Sequence, residues 1–181
     1  LRELPIWFDD RSGLTPSQIV PAAKRLIRRW EKDRLRPGMI VVDHLHIVKP
    51  ESNYGNRVVE VGEVSGALRD LAKETGVAVV ALCQLSRANE ARGNADKRPQ
   101  MSDLRWSGEI EADAAQITFI HRPEKYLREP EDKELDAMDK YLSDLERWRD
   151  KALLINVKNR GGPGDFEHEI NVSLKHSAFW E

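Results

Sequence analysis

The sequence predicts an α/β fold with a mainly parallel sheet flanked by helices and an antiparallel hairpin near its end. Three observations carry this expectation. Strand-like and helix-like segments alternate through the first two thirds of the chain. The strand-like segments "MIVV", "VAVVALC" and "ITFI" are near-continuous apolar runs, which suit strands covered on both faces. The last two long runs, "ALLINVKNR" and "FEHEINVSLK", are separated by "GGPGD", which is hairpin-turn chemistry.

Taken in order, residues 4–10 ("LPIWFDD") read as a first strand ending in two acids. Thr15, Pro16 and Gln18 stand where a capping-box threonine, a first-turn proline and an N3 glutamine belong. Ile19, Ala23, Leu26, Ile27 and Trp30 then recur at helical spacing, and Pro21 falls early enough to be tolerated. "PGMIVVDHLHIV" reads as a strand opened by Pro37 and Gly38. In "EVGEVSGALRDLAKETG" a stripe of Val61, Val64, Leu68, Leu71 and Ala72 predicts a helix that Gly76 stops. Residues 77–84 and 116–122 are further strands, and "AFWE" closes the chain as a short one.

The expected organisation is one domain over residues 1–181, with no internal repeat and a charged helical insertion at about 123–150. That insertion carries ten acids against six bases, with Leu135, Met138, Leu142 and Leu145 in a narrow stripe. It reads as a solvated helix resting its stripe on the domain, or as a contact surface for another subunit.

Composition bounds the function. A chain of 181 residues can bury a real core, and 40% hydrophobic with 33% charged residues is ordinary for a soluble domain. The net charge of −2 excludes a generally basic polymer binder, so any nucleic-acid contact must come from a local patch. Cys83, the single cysteine, cannot form an internal disulfide, which points to a reducing cytosol. Inside its apolar run it reads as a small hydrophobe before a nucleophile. No run of about 18 apolar residues and no signal-peptide pattern occurs, so neither a membrane nor export is expected. The chain opens without Met and reads as a piece of a longer polypeptide or a trimmed one.

The strand ends are the informative positions. Asp10, Asp43, Gln84, the pair His121 and Arg122, and the pair Lys158 and Arg160 each follow an apolar run. In open α/β sheets ligands sit outside the carboxyl ends of the strands, so one edge reads as a site. Asp43 suits a magnesium-organising acid on a nucleotide's phosphates, or else caps the next element. Gln84 can sense a γ-phosphate or orient a water, or it is a simple loop-start amide. Lys158 and Arg160 share one strand face and suit a phosphate-facing finger, or else discourage edge aggregation. A zinc site from Asp43, His44 and His46 with His121 is an alternative, without further ligands at zinc spacing.

Together the stretches "LPIWFDDRSGLTPSQI", "GMIVVDHLHIV", "VSGALRDLAKETGVAVVALCQLSR", "KRPQMSDLRWSGEIEADA" and "INVKNRGGPG" resemble the second half of the motor domain of DnaB-type replicative helicases. They occur in the family's order across most of residues 4–180, and residues 77–114 are the most specific. The resemblance implies a RecA-like fold, a homohexameric ring and ATP hydrolysis with Mg²⁺ at subunit interfaces. It makes Asp43 the Walker B acid and the metal residue, with Gln84 at the end of the sensor strand. Lys158 and Arg160 become cations reaching into the neighbouring subunit's nucleotide. Arg87, Arg92, Lys97, Arg98, Arg105, Trp106 and Gly108 would lie along single-stranded DNA.

The sequence also departs from the family. Trp106 stands where a glutamate is usual, His44 where a tyrosine is usual, and Cys83 where a serine is usual. The insertion is longer than expected. No G-x-x-x-x-G-K-[ST] occurs, and the water-activating glutamate would lie upstream. By analogy the missing phosphate-loop strand belongs mid-sheet, between residues 77–84 and 116–121. The expectation is therefore a partial domain, the C-terminal part of a cytoplasmic helicase that translocates on single-stranded DNA. These residues alone are expected not to hydrolyse ATP. Primase or a helicase loader are expected partners. The alternatives are a non-catalytic DNA- or helicase-binding remnant, and a RecA-like recombination or loading ATPase.

Overall fold

Local capping sets the helices. A computed structural model describes residues 5–86, 92, 97–104, 106–130 and 135–180. The Thr15 amide donates to Gln18 Oε1 at 3.1 Å, opening helix α1 (Pro16–Lys32). Asn56 Oδ1 accepts from the Val58 amide at 3.0 Å and opens α2 (Arg57–Thr75). Gly76, at φ 67°, ends α2 in the left-handed conformation, its amide donating to the Ala72 carbonyl at 2.9 Å.

The chain divides into two compact units, Leu1–Gln84 with Arg105–Asp113, and Leu85–Leu104 with Ala114–Glu181. In the first, β1 (Met39–Val42) and β2 (Ala78–Ala81) pair in parallel, with Met39 opposite Ala78 and Val42 opposite Ala81. A short 3-10 turn, Leu45–Ile47, follows β1. Its core is built from Leu45, Val48, Val61, Val64, Leu68 and Ile110, with Val42, Val79 and Cys83 packed against them. Helix α3 (Ser107–Asp113) lies on α2. The contact is close at Gly62, where a Cβ would stand 2.7 Å from Glu109 Cγ, and Arg69 pairs with Asp113 at 2.5 Å.

In the second unit, β3 (Gln116–His121), β4 (Lys151–Asn159), β5 (Phe166–Ser173) and β6 (Ala178–Trp180) form an antiparallel sheet in that order. Ala152, Ile170 and Val172 make its core, with Leu154 against them. The β3–β4 ladder shifts register between Ile117 and Thr118, where the buried Asn156 donates from Nδ2 to Thr118 Oγ1 at 3.1 Å. A 3-10 turn (Pro123–Tyr126) and α4 (Leu135–Trp148) lie between β3 and β4. No residue of α4 is buried, and Leu135 and Leu142 of its apolar stripe are exposed.

The alternation, the terminal hairpin and the last short strand match expectation. Parallel pairing, expected of most of the sheet, is confined among the described strands to β1 and β2, while β3 joins β4 antiparallel. Two further differences appear. Residues 5–12 form no strand, and Ile6, Trp7 and Phe8 are exposed. A lone strand leaves its backbone groups unpaired, and no described strand lies beside this one. Instead the Arg11 guanidinium grips Asp9 at 2.8 and 2.6 Å, holding that carboxyl down at about 2. Second, among the described residues β1 and β2 are covered on one face only. Met39, Val41 and Val80 stand exposed on the other, and regular pairing stops at Ala81 rather than Gln84.

Leu71 of α2 is fully buried. Leu71→Ala is expected to destabilise the protein by about 2–5 kcal/mol, from lost burial plus the cavity left behind. Thermal unfolding followed by circular dichroism measures this, and an unchanged midpoint would contradict the packing described.

Candidate functional site

The parallel pair fixes where its polar ends lie. Val42 and Ala81 are the last paired residues, so Asp43 is one position and Gln84 three positions beyond the same end of adjacent strands. The continuations stay tied: the Leu82 amide donates to the Val42 carbonyl at 3.0 Å, and the Leu45 amide to the Leu82 carbonyl at 2.9 Å. Asp43 is exposed, and its peptide bond to His44 is cis. The Gln84 amide nitrogen lies 3.1 Å from His44 Nε2. An exposed carboxylate with a neutral amide nearby, at the carboxyl ends of parallel strands, can hold a hydrated Mg²⁺ and a phosphate oxygen. Among the described residues no group of three His, Cys, Asp or Glu could hold a metal, so the zinc alternative finds no cluster there. His121 stacks on Tyr126, with ring centroids 5.5 Å apart. Burial pushes the Cys83 thiol above its ordinary value, which favours the inert thiol.

In the second unit the cations at the end of β4 are held by backbone on both sides. The Arg160 amide donates to the Ala115 carbonyl at 2.9 Å. Asn159 shapes the following turn: its Oδ1 accepts from the Gly161 amide at 3.1 Å and its Nδ2 donates to the Pro163 carbonyl at 3.2 Å. Arg160 is exposed at this hydrogen-bonded corner and Lys158 is half-buried.

The basic loop is partly engaged with its own unit. Arg92 pairs with the buried Asp103, and Arg98 with Glu167. Lys97 donates to the Arg92 carbonyl. Asp103 also accepts from the Gln100 amide at 2.8 Å, and its carbonyl takes the Ser86 amide at 2.7 Å. Arg87 and Arg105 lie outside the described residues. Trp106 adopts φ 58°, its ring 5.2 Å from His46 and beneath Arg57 at 5.3 Å, and it packs on the first unit's core. A Cβ at Gly108 would meet nothing within 4 Å.

Sequence reasoning missed His44 as a partner of Gln84, Asp103 as the organiser of the loop base, and Asn159 as the turn former. Only Asp103 left a local signal, an acid three residues after Gln100 at the start of a helical turn.

A parallel strand pair ending in an acid and an amide, with an antiparallel sheet whose second strand ends in two cations, is the outline of a RecA-like α/β domain. The chain belongs to the DnaB-like helicase C-terminal domain family, whose sequence model matches residues 1–179. It is 39% identical over 179 residues to a replicative DNA helicase DnaB of Rickettsia prowazekii, covering 98% of this chain and 34% of that protein. It is 48% identical over 128 residues to that of Haemophilus influenzae, covering 71% of this chain and 26% of that protein. Among solved structures, a DnaB-like replicative helicase described with its interactions with primase superposes with a TM-score of 0.77 at 28% identity, covering 95% of this chain and 36% of the other. A second solved structure, an ATPase domain, superposes with a TM-score of 0.75 at 28% identity, covering 93% of this chain and 51% of the other. The chain spans about a third of the length of the Rickettsia relatives it matches.

Proposed function

We propose that this chain is the C-terminal part of a cytoplasmic, homohexameric, ATP-dependent replicative helicase that translocates on single-stranded DNA and unwinds duplex. The observation that carries the reading is the placement of Asp43 and Gln84 just beyond one end of adjacent parallel strands, within a family of replicative helicases. Asp43 would hold Mg²⁺, and Gln84 would meet the terminal phosphate. Bound ATP with Mg²⁺ supplies the phosphoryl transfer that drives movement. Lys158 and Arg160 would reach a neighbouring subunit's nucleotide and stabilise charge as it develops.

Arg87, Arg92, Lys97, Arg98, Arg105, Trp106 and Gly108 would line the DNA path. Arg92 would act chiefly by shaping the loop through Asp103, and Gly108 would let a backbone phosphate approach closely. Trp106, half-buried, would anchor the foot of the loop and offer its remaining face to a base. Primase or a loader would dock on the assembled ring. Among the described residues no helix is long and apolar enough to cross a membrane. The phosphate-loop residues are not in these 181 residues, which by themselves should not turn over ATP.

The test is a strand-displacement and ATPase assay on the full-length polypeptide that carries this chain. Expected is nucleotide-dependent unwinding with ATPase stimulated by single-stranded DNA. DNA-stimulated hydrolysis without unwinding would favour a recombination or loading ATPase. Binding without hydrolysis would favour a non-catalytic role.

A further inference from the structure

The His44 ring is more than a neighbour of Gln84. Its Nε2 lies 3.1 Å from the Gln84 amide, while its Nδ1 is buried and meets no hydrogen-bond partner. The two ends of a glutamine amide have the same shape, so the partner decides which end faces the ring. Leaving an N–H orphaned at the buried Nδ1 costs more than leaving a lone pair there. In the neutral imidazole the proton therefore belongs on Nε2. The Gln84 nitrogen stands at that 3.1 Å distance; turning the amide over brings its carbonyl oxygen to the ring instead, where the Nε2–H donates to it. That turns the amide NH₂ away from the ring, as the end offered to an acceptor.

The ring is itself braced. His44 meets His46 edge-on with centroids 5.8 Å apart, and His46 lies 5.2 Å from Trp106. Arg57, which covers Trp106, also donates to the His46 carbonyl at 2.8 Å. An exposed glutamine with no anchor would sample several rotamers and either amide orientation.

We propose that His44 is the positioning residue for Gln84: its Nε2–H locks the amide so that the NH₂ donor, not the carbonyl oxygen, faces the terminal phosphate of a bound nucleoside triphosphate. This rests on the nucleotide reading of Gln84 given above. A phosphate oxygen accepts hydrogen bonds and repels a carbonyl, so amide polarity decides whether the contact stabilises or opposes the developing charge.

Three variants of the full-length polypeptide test it: H44F, which keeps a ring without the donor; H44Q, whose amide NH₂ can take the place of Nε2–H; and Q84A. DNA-stimulated ATPase is measured over a range of ATP concentrations, with the thermal midpoint as a check on folding. H44F is expected to lower kcat roughly tenfold or more while leaving KM for ATP within about twofold. H44Q should recover most of the loss, and H44F added to Q84A should cost nothing further. If Q84A is impaired while H44F turns over normally, the nucleotide site stands and the positioning role falls. If H44Q is as slow as H44F, the hydrogen bond is not the cause and the proposal is overturned. If Q84A itself is normal, the nucleotide reading fails and takes this proposal with it. Should H44F not fold, H44N, whose amide is too short to reach, carries the same readout.

Discussion

Arg160→Ala in the full-length protein is expected to abolish DNA-stimulated ATP hydrolysis, with kcat falling by roughly a thousandfold or more. Affinity for single-stranded DNA should hold. The expectation rests on the placement of Arg160 at the corner after β4, where its amide is bonded to Ala115 and the next turn is shaped by Asn159. The corner fixes the backbone from which the guanidinium reaches, and its planar fork engages two oxygens at once. Arg160→Lys should therefore rescue little, because an ammonium keeps the charge without the fork. Lys158→Ala should cost less, since it removes a point charge from a half-buried stem. Normal turnover by R160A would remove Arg160 from the reaction.

Asp43→Asn should be nearly as severe. The substitution keeps size and shape and removes the one negative charge offered beyond β1, so the loss should fall on Mg²⁺-dependent turnover, by about a hundredfold or more. DNA binding and thermal stability should hold, because Asp43 is exposed. The two variants together distinguish action within a subunit from action between subunits. In a ring with head-to-tail interfaces, random mixing of D43N with R160A subunits gives about a quarter of interfaces an intact Asp43 facing an intact Arg160. Two inactive proteins should thus regain activity on mixing. If the mixture stays inactive after subunit exchange is shown, Arg160 does not serve the neighbour's nucleotide.

What could be read in the sequence was what local chemistry determines. The Thr15–Gln18 pairing at the start of α1, the left-handed Gly76 at the end of α2 and the glycine-rich turn after β4 all follow from neighbours in the chain. The apolar runs of β1 and β2 gave the parallel pair because both are flanked by helices that need a sheet to cover. Residues 4–10 carried the same kind of apolar signal, and the described residues 5–12 form no strand, since a strand depends on a partner that can lie far away in sequence. The candidate site divides in the same way. Asp43 and Gln84 could be located from the ends of their runs. The His44 contact spans 40 positions, and the buried Asp103 reaches 11 positions back to Arg92. Pairings of that kind appear only once the backbone has brought them together. Arg92, which the resemblance places along the DNA, has an acid of its own to neutralise.

Asn156 carries a consequence for the end of its strand. The β4 sequence "ALLINV" is nearly uniform in its apolar character, so side-chain burial alone would let β4 slide along β3 at little loss. The amide bonded to Thr118 works as a notch on an otherwise smooth rail, since only one alignment lets the two polar groups meet. The bulge beside it absorbs one extra residue and re-aims the chain beyond. Which way Lys158 and Arg160 point is thus indexed by an uncharged amide a few positions upstream that touches neither of them.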